Sequence, residues 1–332
     1  MKLLTLLAAI TLAVGYKSPS PRTFLPPPHS GSSFKLQAVL SPGDNVFVLG
    51  RGPVMVLSSK IAASNGYKTS LISPPDPTIQ EQFDKLLFEG DDDARKLPLT
   101  ILRADETDEI ETAAKRMNAL IIAVDNEQTL DNSVVDFFFD NISPDSLKRV
   151  VLMSRHLNGA KMGFFVETSK KVANSEVWAN TKASNSMYRA TEEYLKKKIN
   201  EKTPATELTI IRAGTLKGGG WGEGKSNPAH LSDYFYELTK KDIITWQLLF
   251  DCESSGVLLS KGDVCEGAGA TAILTASSPK VHKGDSSRGG VAGAMVQSLR
   301  MEQSGLGEFG VETAESRLAP SNDEWDQLFR AA

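Results

Sequence analysis

The sequence predicts a doubly wound α/β fold, a parallel Rossmann-like sheet with a small C-terminal lobe. Three observations carry the prediction. Short apolar runs recur along the chain and alternate with stretches of helical periodicity, the pattern of a parallel sheet covered on both faces. A glycine-rich turn joins the first run to the first helix. The composition, 40% hydrophobic and 23% charged over 332 residues, is that of a globular chain long enough to bury a large core.

The elements follow in order. Asn45–Leu49 (NVFVL) reads as a strand, Gly50-Arg51-Gly52-Pro53 as a turn and Val54–Ser64 as a helix closed by Gly66. Lys68–Ser73 (KTSLIS) is a second strand, so these residues make one βαβ unit. Glycine suits this turn because the chain bends sharply and its backbone must come close to a pyrophosphate at the helix N-terminus. Gly50 and Gly52 match the first two glycines of GxGxxG, while Met55 stands at the third. Leu99–Arg103, Ala119–Val124, Lys148–Ser154 and Glu207–Arg212 are further strands. Glu106–Met117 is a helix with acids early and bases late, as the macrodipole favours. Ser175–Asn200 is a long helix, and Phe137–Phe139 belong to the core of the helix after the fourth strand. Ser277–Gly290 reads as a Gly/Ser-rich loop, and the tail Gly307–Phe329 as a segment folded against the domain.

The N-terminus is of another kind. Residues 1–43 hold Lys2, Lys17, Arg22 and Lys35 and no acid, so the rest of the chain carries 33 basic and 41 acidic side chains. That acidic balance argues against nucleic acid as a partner. Leu3–Val14 is apolar but too short to span a bilayer, so no stable membrane span is expected, and the length suits a signal-peptide core. The Ser/Pro-rich, acid-free stretch behind it has transit-peptide composition. Residues 1–42 are therefore read as a presequence and 43–332 as the folded domain, with a substrate or docking lobe from about 217 onward. Cys252 and Cys265 lie outside any CxxC spacing and the four histidines are scattered, so no metal site is expected.

The collinear order VFVLG, RADETD, ALIIAVD, VVLMS, WANTK and TIIRAGTLKGG resembles the short-chain dehydrogenase/reductase superfamily. Within it the nearest likeness is to the atypical NAD(P)-binding branch, including NmrA-like and plastid photosystem-assembly members. The resemblance implies a dinucleotide cofactor, NAD or NADP, held by Gly50, Arg51, Gly52, Asp105, Val124, Asp125, Lys182 and Thr215. It places Ser154 at the catalytic serine and Lys182 at the lysine of YxxxK. The choice between NAD and NADP stays open: Asp76 is within sequence reach of a ribose and Arg51 of a phosphate, and Arg51 reads equally as a solvated loop residue. The two-part presequence resembles those of algae with secondary plastids, which implies the plastid stroma and a plastid complex as partner. A secretory signal followed by a Pro-rich linker is the alternative.

The departure from the family pattern is chemical. Trp178 occupies the tyrosine position of Trp178-Ala179-Asn180-Thr181-Lys182, and an indole has no acid–base chemistry near neutral pH. A cofactor-sensing or scaffold protein with a degenerate site is therefore expected. The alternative is a reductase or epimerase-like enzyme that uses Ser154 and Lys182 with another proton source. The literal YxxxK at Tyr194 and Lys198 lies too late in its helix and reads as an i,i+4 surface pair. The glycine cluster from Gly218 reads as a loop over the substrate side.

Overall fold

The computed structural model describes residues 39–88, 92–125, 129–157, 163–173, 178–218, 254–263, 273–274, 283–302, 306–316 and 318–332. Its strands are β1 (Asn45–Arg51), β2 (Lys68–Ser73), β3 (Leu99–Arg103), β4 (Ala119–Val124), β5 (Arg149–Arg155), β6 (Glu207–Ala213), β7 (Thr215–Lys217), β8 (Gly256–Lys261), β9 (Asp285–Ser287) and β10 (Gly307–Ala314). The helices are α1 (Pro53–Ser64), α2 (Pro77–Phe88), α3 (Thr107–Arg116), α4 (Asn132–Asn141), α5 (Phe164–Ala173), α6 (Thr181–Lys202), α7 (Arg288–Ser298) and α8 (Asn322–Ala331). Eight strands form one sheet in the order β3-β2-β1-β4-β5-β6-β10-β8, and β7 pairs with β9 in a second, two-stranded sheet. The main sheet is parallel except for β8, which runs antiparallel to β10. The strand order reverses between β1 and β4, which makes a crevice at their carboxyl ends, the usual ligand position in such sheets.

Alternation along the strands sorts the core into two layers. Val46 and Val48 of β1 and Ile121 of β4 face a layer built with α1, α2, α7 and α8. Phe47, Leu49, Leu120 and Ile122 face the opposite layer, built with α3, α4 and α6. Phe138 of α4 packs edge-on against Phe47 with ring centroids 4.8 Å apart, in line with the expected core role of the Phe137–Phe139 run. Tyr194 and Lys198 both reach Asp136 of α4, so that pair ties α6 to α4. Among the described residues no helix is long and apolar enough to cross a membrane.

Three features differ from the sequence expectation. Leu40, placed in the presequence, is buried in the core and its amide donates to the Leu299 carbonyl at 3.2 Å; the fold therefore starts earlier than residue 43. The segment read as a loop to Gly290 holds β9 and the start of α7, whose N-cap Ser287 accepts from the Gly290 amide. The tail is more than a covering segment: β10 inserts between β6 and β8, and α8 buries Trp325 and Phe329. Beyond position 217 the chain thus returns to the main sheet, while the glycine loop from 219 lies outside the described residues.

A buried arginine anchors this return. Arg149, at the start of β5, donates from Nη1 to the carbonyls of Ser298 and Met301, the latter at 2.6 Å, and from Nη2 to Glu207 at 2.8 Å. A cation at the C-terminal end of α7 meets its unpaired carbonyls and the negative pole of its dipole.

Gly50 is fixed by close approach. Its φ is +145°, and a Cβ there would lie 1.6 Å from the Ala123 carbonyl oxygen of the neighbouring strand. Gly50→Ala is expected to destabilise the chain by on the order of 3–5 kcal/mol, the range of severe backbone and packing clashes, read as a lower midpoint in urea unfolding.

Candidate functional site

The crevice has two unlike halves. On the side of α3 and α4 lies an open pocket of about 290 Å³, walled by Leu49, Ile72, Ile110, Leu130, Val134 and Phe137, with Thr107 and Ser133 supplying hydroxyls. Gly50 and Arg51 form its inner edge. An apolar slot with few polar groups at a switch point is the usual form of a small-ligand site. Val124, whose place in β4 is opposite Arg51, is buried beside it. Asp105 follows β3, and its carboxylate is gripped by Arg103 at 3.0 and 3.1 Å; its neighbours Ala104 and Thr107 line the pocket instead.

On the other side of the glycine turn the space closes to about 40 Å³, walled by Asp125, Arg155, Lys170, Trp178, Gly214, Thr215, Leu216 and Arg288. Asp125 follows β4 and is buried. Arg288 Nε donates to its Oδ2 at 3.0 Å, and Arg155 donates to its backbone carbonyl at 2.8 Å. Burial pushes the Asp125 carboxyl pKa up, opposed by Arg288, Arg155 and the Val54 amide in the first turn of α1. Trp178 is buried, stacks on Tyr188 with centroids 5.8 Å apart and carries the Lys170 ammonium 4.4 Å from its ring centroid. A volume of that size holds water, not a nicotinamide ring.

Ser154 and Lys182 do not meet. Ser154 is buried and its Oγ donates to Glu192 Oε1 at 2.5 Å. The register of β5 and β6 sets Ser154 opposite Arg212, and Arg212 holds Glu192 bidentately at 2.8 Å and also reaches Glu308. Lys182 is exposed in the first turn of α6, away from this network. Ser154 instead belongs to a buried serine–glutamate–arginine cluster, in which Glu192, ten residues along α6 from Lys182, reaches β5. Gly50, Arg51 and Gly52 lie at the turn between the two halves, and Asp125 and Thr215 wall the closed one. Sequence reasoning missed Arg155, Lys170 and Arg288. Only Arg288 carried a signal, a serine N-cap followed by a run of small residues.

The residues fit the expected dinucleotide in part. The 290 Å³ pocket has the size of an adenosine, whereas the cavity beside Asp125 measures about 40 Å³. Among the described residues no group of three or more His, Cys, Asp and Glu is arranged to hold a metal.

The arrangement defines a Rossmann-like α/β protein by its own strand order. No protein-family model and no curated protein matches the chain. Solved structures do. A Bacillus halodurans protein provisionally named as an NAD-dependent epimerase/dehydratase is 12% identical over 87% of this chain and 100% of its own, with a TM-score of 0.47. A short-chain dehydrogenase/reductase from Veillonella parvula in complex with NADP is 14% identical over 84% of this chain and 99% of its own, with a TM-score of 0.44. ChuY, an anaerobilin reductase of Escherichia coli O157:H7, is 10% identical over 83% and 98%, with a TM-score of 0.45.

His156, just past β5, is buried and its pKa is lowered from 6.5 to about 4, first by burial and then by Lys170. The unfolded chain therefore takes up a proton between these values that the folded chain refuses. This contribution is complete above 6.5 and is lost as pH falls toward 4. A loss of about 3 kcal/mol is expected when urea unfolding at neutral pH is compared with that near the lower value, and His156→Leu is expected to flatten the slope.

Proposed function

We propose that the chain is an NAD(P)(H)-binding protein of the atypical short-chain dehydrogenase/reductase type whose catalytic end is closed, and that it serves as a cofactor sensor or scaffold in a plastid complex. The observation that carries this reading is the contrast between the two halves of one crevice: an open apolar pocket beside Gly50 and a cavity of about 40 Å³ where hydride chemistry would occur. The NADP bound by the Veillonella protein supports the ligand class. The adenosine would lie among Ile72, Ile110, Val134 and Phe137, with its phosphates toward Gly50 and Gly52. When bound, the nicotinamide is the group that exchanges hydride. Trp178 stands in its way and offers an N–H donor with no proton to exchange near neutral pH. Ser154 is engaged by Glu192 and so is withheld from a substrate oxygen. The acid-free, Ser/Pro-rich start of the chain supports delivery to a plastid.

Calorimetric titration of the full chain with NADPH and NADH is the test. Saturable binding is expected without cofactor oxidation in the presence of carbonyl substrates. Fast turnover by the unaltered chain overturns the closed-site reading, and absence of binding at millimolar cofactor overturns the nucleotide reading. Val134→Arg, at a half-exposed position of the pocket, is expected to weaken NADPH binding by roughly tenfold or more through an unpaired charge against the base, with little change in the unfolding midpoint.

A further inference from the structure

Arg288 reaches the glycine turn from a position 163 residues away from Asp125 in sequence. Its Nε donates to Asp125 Oδ2 at 3.0 Å and its Nη1 to the Gly218 carbonyl at 2.9 Å. Arg155 approaches from the end of β5 and bonds the Asp125 backbone carbonyl through Nη2. Two buried atoms at the wall of the small cavity, Arg155 Nε and Asp125 Oδ1, have no hydrogen-bond partner. The Val54 amide, in the first turn of α1, also stabilises the Asp125 charge. One guanidinium therefore holds the Asp125 carboxylate, a second holds its main-chain carbonyl, and the first turn of α1 lies beside them. That donor set is the one a diphosphate takes once Asp125 is displaced from it.

We propose that Arg288 is a phosphate-gripping residue of the nucleotide site and that Asp125 is its resting counter-ion, displaced when the pyrophosphate of a dinucleotide arrives. This rests on the nucleotide-binding reading given above. It has an unusual consequence. The two halves of one ion pair act on binding in opposite directions: Arg288 contributes to the phosphate grip, while Asp125 competes with the phosphates for the same donors. An ion pair with a purely structural role moves stability and binding in the same direction whichever partner is removed.

The experiment titrates the full chain and its Asp125→Asn and Arg288→Gln variants with NADPH, and with adenosine as a probe lacking phosphate. NADPH is expected to bind Asp125→Asn at least about threefold more tightly and Arg288→Gln about tenfold more weakly, with adenosine binding unchanged in both. Arg288→Lys keeps the charge and is expected to fall between the wild type and Arg288→Gln, which covers a folding defect in the latter. In the unaltered chain, added salt is expected to weaken NADPH binding and leave adenosine binding almost constant. Shifts of the same sign in both variants, no shift in either, or equal salt dependence for the two probes overturns the assignment while adenosine binding leaves the nucleotide reading standing. Failure of every chain to bind either probe overturns both.

Discussion

A buried carboxylate at the end of β4 sets the terms for the rest of the site. Asp125 lies out of water, and an unpaired charge there is costly, so the structure brings Arg288 to its carboxylate from α7, while Arg155 from β5 bonds its main-chain carbonyl. Removing one partner from such a pair costs about 3–5 kcal/mol because the other is left buried without compensation. To deliver Arg288, α7 must lie against α1 and the sheet. Its small residues, among them Gly289, Gly290, Ala292, Gly293 and Ala294, allow that approach, and all eleven positions of the helix are buried. Arg149 then holds the far end of the same helix through its terminal carbonyls. The C-terminal third of the chain is thereby tied to the glycine turn at the start of the fold.

A second polar cluster holds Ser154. Ser154, Glu192, Arg212 and Glu308 link β5, α6, β6 and β10 across the middle of the molecule. Each charge in it is paired, as burial requires. A serine bonded at 2.5 Å to a glutamate that is itself held bidentately by arginine has its proton directed inward. Ser154 is thus held in contacts that join β5 to α6. Function has to be argued from the geometry of the site, since a shared fold carries many chemistries.

The two halves of the crevice are built by different means. The open pocket belongs to α3 and α4, helices of amphipathic sequence that leave apolar side chains at the sheet edge. The closed half belongs to long-range partners: Trp178 before α6, Lys170 on α5, Thr215 on β7 and Arg288 on α7. The first is lined mainly by apolar side chains, the second by Asp125, Arg155, Lys170 and Arg288.

The sequence by itself determined the alternation from β1 to β6 and the glycine turn, because each is written in residues close together along the chain. Period-two and period-3.6 patterns are local signals, and Gly50 and Gly52 mark their own turn. The tertiary structure decided what those signals do not contain. α7 is buried all round, so its sequence has no polar face to announce a helix, and β10 joins β6 across about a hundred intervening residues. The Asp125–Arg288 pair and the Ser154–Glu192 bond join positions whose proximity depends on register and helix packing. Chain topology, acting through the cost of burying unpaired charge, fixed which of the expected site residues face the crevice and which, like Lys182, face water.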